Sequence, residues 1–179
     1  MTTIGVAIAV PAPWGAELQE YRRALGDDTA EGILTHITLM PPHDADPDQL
    51  PVVEQLLAEA SATNSAFTIH LRGTGSFRPV SPVVFVVVVE GISGCEQLAL
   101  SVRRGPLATE RQFPYHAHVT AAHRLDDHLL DRAFKELSDF ECEFEADHFS
   151  LYVHDASVGW RTTRDFPLTG TPNSRPTDG

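Results

Sequence analysis

The tripeptide His-x-Thr occurs at His36–Thr38 and again at His118–Thr120, 82 positions later, and this offset organises most of the chain. It lays Ala66-Phe-Thr-Ile-His-Leu71 on His148-Phe-Ser-Leu-Tyr-Val153, so that apolar positions meet and Thr68 meets Ser150. It also lays Leu18 on Leu100, and the opening run 4–10 on 86–92, overlapping the apolar stretch that begins at Val83. A self-similarity that covers a motif, its flanks and the order of elements marks a duplicated chain.

The order is strand, helix, strand, helix, strand, read twice. In the first half, residues 3–10 read as a strand and 14–25 as a helix ending at Gly26. Residues 33–40 form the strand carrying the first motif, which should stop at Pro41-Pro42 because proline has no ladder donor. Asp46 with Pro47 behind it suits a helix start, predicting a helix through Ala60 before a strand at 67–71. The second half repeats this with a strand at 83–89, a helix at 96–104, the motif strand at 117–122, a helix at 127–140 and a strand at 149–153. A closing strand at 160–168 completes the chain. The expected fold class is α+β: a duplicated bilobal fold with two pseudo-symmetric, antiparallel-rich sheets facing a central groove and helices outside. Residues 1–169 form a single domain in this reading, with 170–179 as a flexible tail rich in proline, glycine and polar residues.

With 179 residues, 42% of them hydrophobic, the chain can bury a core without metal or disulfide staples. Cys95 and Cys142 stand in no CxxC or zinc-finger spacing and read as buried thiols in a reducing compartment. The start, MTTIGVAIAVPAPW, lacks a basic segment and is broken by proline, which argues against a signal peptide. The apolar run 83–89 is too short to span a bilayer as a helix. A cytoplasmic monomer without a membrane partner is expected. The net charge of −12 excludes a broad surface that tracks nucleic-acid phosphates. It leaves room for a small nucleotide or an RNA end held in one groove.

On a strand, positions i and i+2 share a face, so His36 sits beside Thr38 and His118 beside Thr120. If the two faces confront each other, two imidazoles and two hydroxyls surround one small volume. That set suits a phosphodiester. One neutral imidazole takes a proton from the attacking oxygen, and the other, protonated, gives one to the departing oxygen. The threonine hydroxyls can donate to the non-bridging oxygens. No metal and no cofactor is required.

These residues resemble the 2H phosphoesterase superfamily, in particular its 2'-5' RNA ligase-like and cyclic phosphodiesterase members. The resemblance rests on Thr35-His36-Ile37-Thr38-Leu39, on Phe113-Pro-Tyr-His-Ala-His118-Val-Thr120-Ala-Ala-His123, and on a closing Trp160…Phe166-Pro167-Leu168. One branch carries proline directly before the second motif histidine, where this chain has Ala117. The resemblance implies a metal-independent site acting on 2',3'-cyclic phosphates, 2',5'-linked nucleotides or RNA ends, a role in RNA processing, and 2'-5' RNA ligation as the reverse reaction. It makes His36 and His118 the catalytic pair and Thr38 and Thr120 substrate ligands. It also asks for a basic residue after the second motif, for which His123 and Arg124 compete.

Further candidates come from position alone. His116 alternates with His118 and can line the same groove. Tyr115 can stack on a base, although strand parity turns it away from His118 unless the chain bends at Pro114. Arg22, Arg23, Arg103 and Arg104 fall on predicted helices and read as solvent-facing charge. Two other functions fit the same residues: a nucleotide or RNA-end binding module without turnover, and a metal-dependent hydrolase using His116, His118 and His123.

Overall fold

The computed structural model describes residues 1–172; the end of the expected tail, 173–179, lies outside the described residues. Twelve principal elements follow in the order β1 (Thr2–Ala9), α1 (Trp14–Ala24), β2 (His36–Ala45), α2 (Leu50–Thr63), β3 (Phe67–Ser76), β4 (Val83–Glu90), α3 (Ile92–Val102), β5 (His118–His123), α4 (Asp127–Glu136), β6 (Glu141–Ala146), β7 (His148–Asp155) and β8 (Gly159–Pro167). The class is α+β with antiparallel pairing throughout, as expected from the sequence.

The strand order is β6-β3-β4-β5-β2-β1-β7-β8. The two expected sheets are therefore half-sheets of four strands each, joined where β2 meets β5 through the single register pair Ile37–Val119. The 82-residue offset lays β1 on β4, β2 on β5 and β3 on β7. Yet β3 pairs with β4 and β6, whereas β7 pairs with β1 and β8. Each half-sheet thus takes its third strand from the other repeat.

One face of this sheet is dry. Ile4, Val6, Ile8, Ile37, Leu39, Ile69, Leu71, Val86 and Val119 are buried against residues of α1, α2 and α3 such as Leu18, Val53, Leu57, Leu98 and Val102. A smaller cluster joins Leu25 at the end of α1 to Val84, Ala122 and the α4 residues Leu130 and Ala133. Burying such β-branched and leucine side chains supplies most of the driving force, at roughly 1.5–3 kcal/mol each. Because side chains alternate, the neighbours of Ile37 and Val119 point to the other face, into the groove.

Several boundaries differ from the sequence reading: β2 starts at His36 rather than 33, β3 runs on to Ser76, α3 spans Ile92–Val102 rather than 96–104, and two further differences have clear physical causes. β2 runs through Pro41 and Pro42 to Ala45. There β2 bulges against β1: Ile4 stands opposite His43 and Val6 opposite Met40, so β2 holds one residue more than β1 across Pro41-Pro42. The far edge of β2 has already left β5, so neither proline interrupts a paired ladder. α4 ends at Glu136 rather than 140, and β6 follows it with Glu, Cys, Glu, Phe, Glu and Ala alternating exposed and buried. The offset assigns those positions to the equivalent of α2, where no strand exists. No helix among the described residues is long and apolar enough to cross a membrane.

Candidate active site

The Ile37–Val119 pair fixes the site. In an antiparallel register, the residues flanking such a pair stand opposite one another, so His36 faces Thr120 and Thr38 faces His118. The remaining strands extend this groove face outward, with Ala9 beside His36, Ala7 beside Thr38, Val87 beside His118 and Phe85 beside Thr120. Two His-x-Thr motifs on adjoining antiparallel strands therefore form a square with histidines on one diagonal and threonines on the other.

Each histidine is held in the same way. The Nδ1–H of His36 donates to the carbonyl of Leu34 at 2.7 Å, and that of His118 to the carbonyl of His116 at 2.7 Å. A carbonyl can only accept, so Nδ1 keeps its proton and Nε2 is the atom left to exchange one. Burial pushes both imidazoles below their ordinary pKa of 6.5; the carbonyl contacts oppose this. The Arg22 charge adds to the depression at His36, and His116 and His36 add to it at His118. In the unliganded protein both rings are thus biased to the neutral form. An anionic phosphate between them acts in the opposite direction.

Two cavities meet at this square, and Thr38 lines both. The first, about 350 Å³, is bounded by His36, Thr38, Thr120, His123, Arg22 and Trp160 among others. The second, about 570 Å³, is bounded by His118, His116, Tyr115, Phe77, Phe113 and Arg103 among others. Phe77 and Phe85 stand 4.9 and 5.4 Å from the His118 ring, nearly edge-to-face in the first case.

The candidates from sequence divide clearly. His36, Thr38, His118 and Thr120 converge. His116 and Tyr115 line the second cavity; strand parity does not apply to Tyr115 because β5 begins only at His118. The Tyr115 hydroxyl donates to the Thr38 carbonyl at 2.8 Å, tying it to the first motif. Of the two competitors after the second motif, His123 lines the first cavity, whereas Arg124 is exposed, has a φ of 53° and lines neither. His123 lines the first cavity and His116 and His118 the second, and these three do not form a common metal-ligand cluster among the described residues. The group that does come together, His70, Glu90 and Glu143, sits on β3, β4 and β6, and His70 is already bonded to Glu141 at 2.7 Å.

The reading of the helix arginines as solvent-facing is corrected at two positions. Arg22 is only 4% exposed. It sits with Leu18 and Leu25 on the buried stripe of α1 and its C-terminal cap, a spacing visible in the sequence. Its Nε pairs with Asp27 at 2.9 Å and its Nη2 donates to Thr29 at 3.0 Å. Arg103, capping the end of α3, donates to the Leu39 carbonyl at 2.8 Å and lies over the Tyr115 ring at 5.4 Å. Arg23 and Arg104 are exposed, as expected.

Trp160 is a further wall residue to which the sequence reading gives no role in the site. It is placed by a backbone clasp: its N–H donates to Gly32 at 2.7 Å, and Gly32 and Gly159, both at positive φ, lie against each other.

Comparison with known proteins identifies the family and the fold. The family model of the 2'-5' RNA ligase superfamily matches residues 10–157. A Bacillus cytotoxicus protein designated by name a phosphoesterase is 33% identical over 138 residues, covering 74% of this chain and 78% of its own. A Bacillus cereus protein of the same designation is 32% identical over 136 residues, covering 74% and 78%. In fold, the chain is similar to the crystal structure of TT0787 of Thermus thermophilus, with a TM-score of 0.68, 21% identity and coverage of 95% and 99%. It is similar also to Escherichia coli LigT complexed with 3'-AMP, with a TM-score of 0.67, 18% identity and coverage of 94% and 98%. By sequence match, fold and paired motifs, this chain belongs to the 2'-5' RNA ligase superfamily of 2H phosphoesterases.

Proposed function

We propose that this protein is a metal-independent phosphodiesterase that opens 2',3'-cyclic phosphates or cleaves 2',5'-linked nucleotides and RNA ends, with His36 and His118 as its acid–base pair. The observation that carries the reading is the square set by Ile37 and Val119, in which each imidazole is bonded through Nδ1 and keeps Nε2 for proton exchange. The hydroxyls of Thr38 and Thr120 take the non-bridging oxygens, and His116, Tyr115 and His123 line the space around the substrate. Ligation would use the same pair in the reverse direction. Crystal structures of E. coli LigT hold 3'-AMP, NADP+, ATP and phosphate, which supports a substrate of nucleotide size here. The free buried thiols of Cys95 and Cys142 support a cytoplasmic setting.

The test is hydrolysis of 2',3'-cyclic mononucleotides and 2',5'-linked dinucleotides in the presence of a chelator. Wild type should turn over, and His36→Ala and His118→Ala should each lose about 100-fold or more, the usual contribution of one general acid or base. Equal activity in all three proteins removes the proposal.

A further inference from the structure

The two-fold likeness of the motifs hides an asymmetry. On the His36 side stands a buried guanidinium; the equivalent of Arg22 by the 82-residue offset is Arg104, which is exposed. Arg22 does more than neutralise Asp27. Its Nε is taken by Asp27 and its Nη2 by Thr29, while Nη1 has no protein acceptor among the described residues. No buried side-chain polar atom among those residues lacks a partner, so Nη1 is not sealed from solvent, and Arg22 lines the first cavity. Asp27 in turn is fully buried and accepts from Thr29 N and from His123 N, at 3.0 and 3.1 Å. The guanidinium is thus anchored to α1, to the Asp28–Ala30 turn and, through Asp27, to the end of the second motif strand, and Arg22 shares its cavity with His36 and Thr120.

We propose that Arg22 is a substrate-binding residue, that its free Nη1 takes a non-bridging phosphate oxygen, and that it sets the direction of reaction across the square, with His36 as base and His118 as acid. The proposal rests on the phosphodiester reading of this site. Both rings are biased to the neutral form before an anion enters; the fixed charge of Arg22 keeps His36 so, which leaves His118 as the ring that takes up a proton when an anionic phosphate binds. Arg22 is the charge felt at His36, while His118 feels His36 and His116, and His123 lines the same cavity as His36. Around His118 stand the aromatic rings of Phe77 and Phe85 and the imidazole of His116; Arg103 is turned to Leu39 and Tyr115.

In hydrolysis, Nε2 of His36 takes a proton from water as its oxygen bonds to phosphorus. The bond from phosphorus to the leaving oxygen breaks, and Nε2–H of His118 supplies the proton that oxygen needs. Diester and water become monoester and alcohol, and proton exchange with solvent resets the pair.

Two measurements test this. The first is calorimetric binding of inorganic phosphate, which needs no turnover. Arg22→Met combined with Asp27→Asn removes both buried charges; it should weaken phosphate binding about tenfold or more while melting cooperatively, with Arg22→Lys intermediate. Should the double variant fail to fold, Thr29→Val, which removes one anchor and no charge, should still weaken binding. Unchanged affinity in any folded member of the set, or no phosphate binding by wild type, overturns the proposal. Arg22-dependent phosphate binding without any diester turnover would remove the proposed function and leave Arg22 as an anion ligand.

The second measurement compares bis(p-nitrophenyl) phosphate, whose leaving group needs no proton, with a 2',3'-cyclic mononucleotide. His118→Ala should lose at least about tenfold more of the second activity than of the first, and His36→Ala should lose both alike. Any other pattern overturns the assigned direction.

Discussion

Asp27→Ala is expected to be among the most damaging single substitutions outside the hydrophobic core. The Asp27 side chain is fully buried, pairs with a guanidinium whose side chain is 5% exposed, and accepts from two backbone N–H groups on different segments. Removing one member of a buried ion pair costs about 3–5 kcal/mol, because the remaining charge keeps its desolvation penalty without compensation. Here the open edge of Arg22 on the cavity admits some water, which places the expectation near the lower end, at about 3 kcal/mol. For a domain of this size that corresponds to roughly 6–12 °C in melting temperature. The assay is urea denaturation, with the m-value held constant so that the shift in midpoint reads stability alone. Adding Arg22→Met to Asp27→Ala should recover about 1 kcal/mol or more, since the orphaned charge disappears. A loss below about 1 kcal/mol in the single variant, or a double variant equal to the sum of the two singles, would refute the buried-pair reasoning.

Four further outcomes are expected. Gly159→Ala puts a Cβ 2.8 Å from the Gly32 Cα at a φ of +77°; it should cost about 1–3 kcal/mol and shift the fluorescence of Trp160. Tyr115→Phe removes the 2.8 Å donation to the Thr38 carbonyl and should cost about 1 kcal/mol in denaturation, with a severalfold loss of turnover as Thr38 loosens. His36 and His118 have folded-state pKa values below 6.5, so the unfolded chain binds more protons just below that pH. Their contribution to stability is therefore intact above 6.5 and is lost as pH falls toward the folded values; denaturation midpoints at pH 7.5 and 5.5 should differ less in a His36→Gln, His118→Gln double variant than in wild type. Dialysis against a chelator should leave diester turnover unchanged, and a loss restored by zinc or manganese would contradict the metal-independent reading.

Much of the candidate site is legible in the sequence because it depends on local parity. His-x-Thr on a strand places both side chains on one face whatever the tertiary fold, and the repeat implies that two such faces belong together. The pairing itself is hidden. The offset says that β3 and β7 are equivalent, but nothing in it says which half-sheet each one joins. The repeat even obscures β6, whose counterpart positions lie inside α2, although its alternation of glutamate with Cys142, Phe144 and Ala146 is a plain strand signal. The prolines of β2 mislead for a related reason: their cost depends on whether a neighbouring strand needs the missing N–H, and here the bulge and the free edge remove that need. Arg22 is easily misread because paired arginines on a helix suggest water, while its spacing from Leu18 and Leu25 places it on the buried stripe. Strand parity misplaces Tyr115 because its segment is not a strand.

The exchange of β3 and β7 has a consequence for how such a chain can be divided or first assembled. A fragment ending between β3 and β4 would leave β3 without either of its partners and β1 without β7 on its outer edge. The motif square would also be missing one diagonal corner of each kind. A polypeptide consisting of one repeat could reproduce the central pairings only as two copies trading their third strands. Gene fusion of such a swapped dimer would preserve every central contact while freeing each copy to diverge. The buried guanidinium of Arg22, whose equivalent by the offset, Arg104, is exposed, is the kind of difference that such freedom permits.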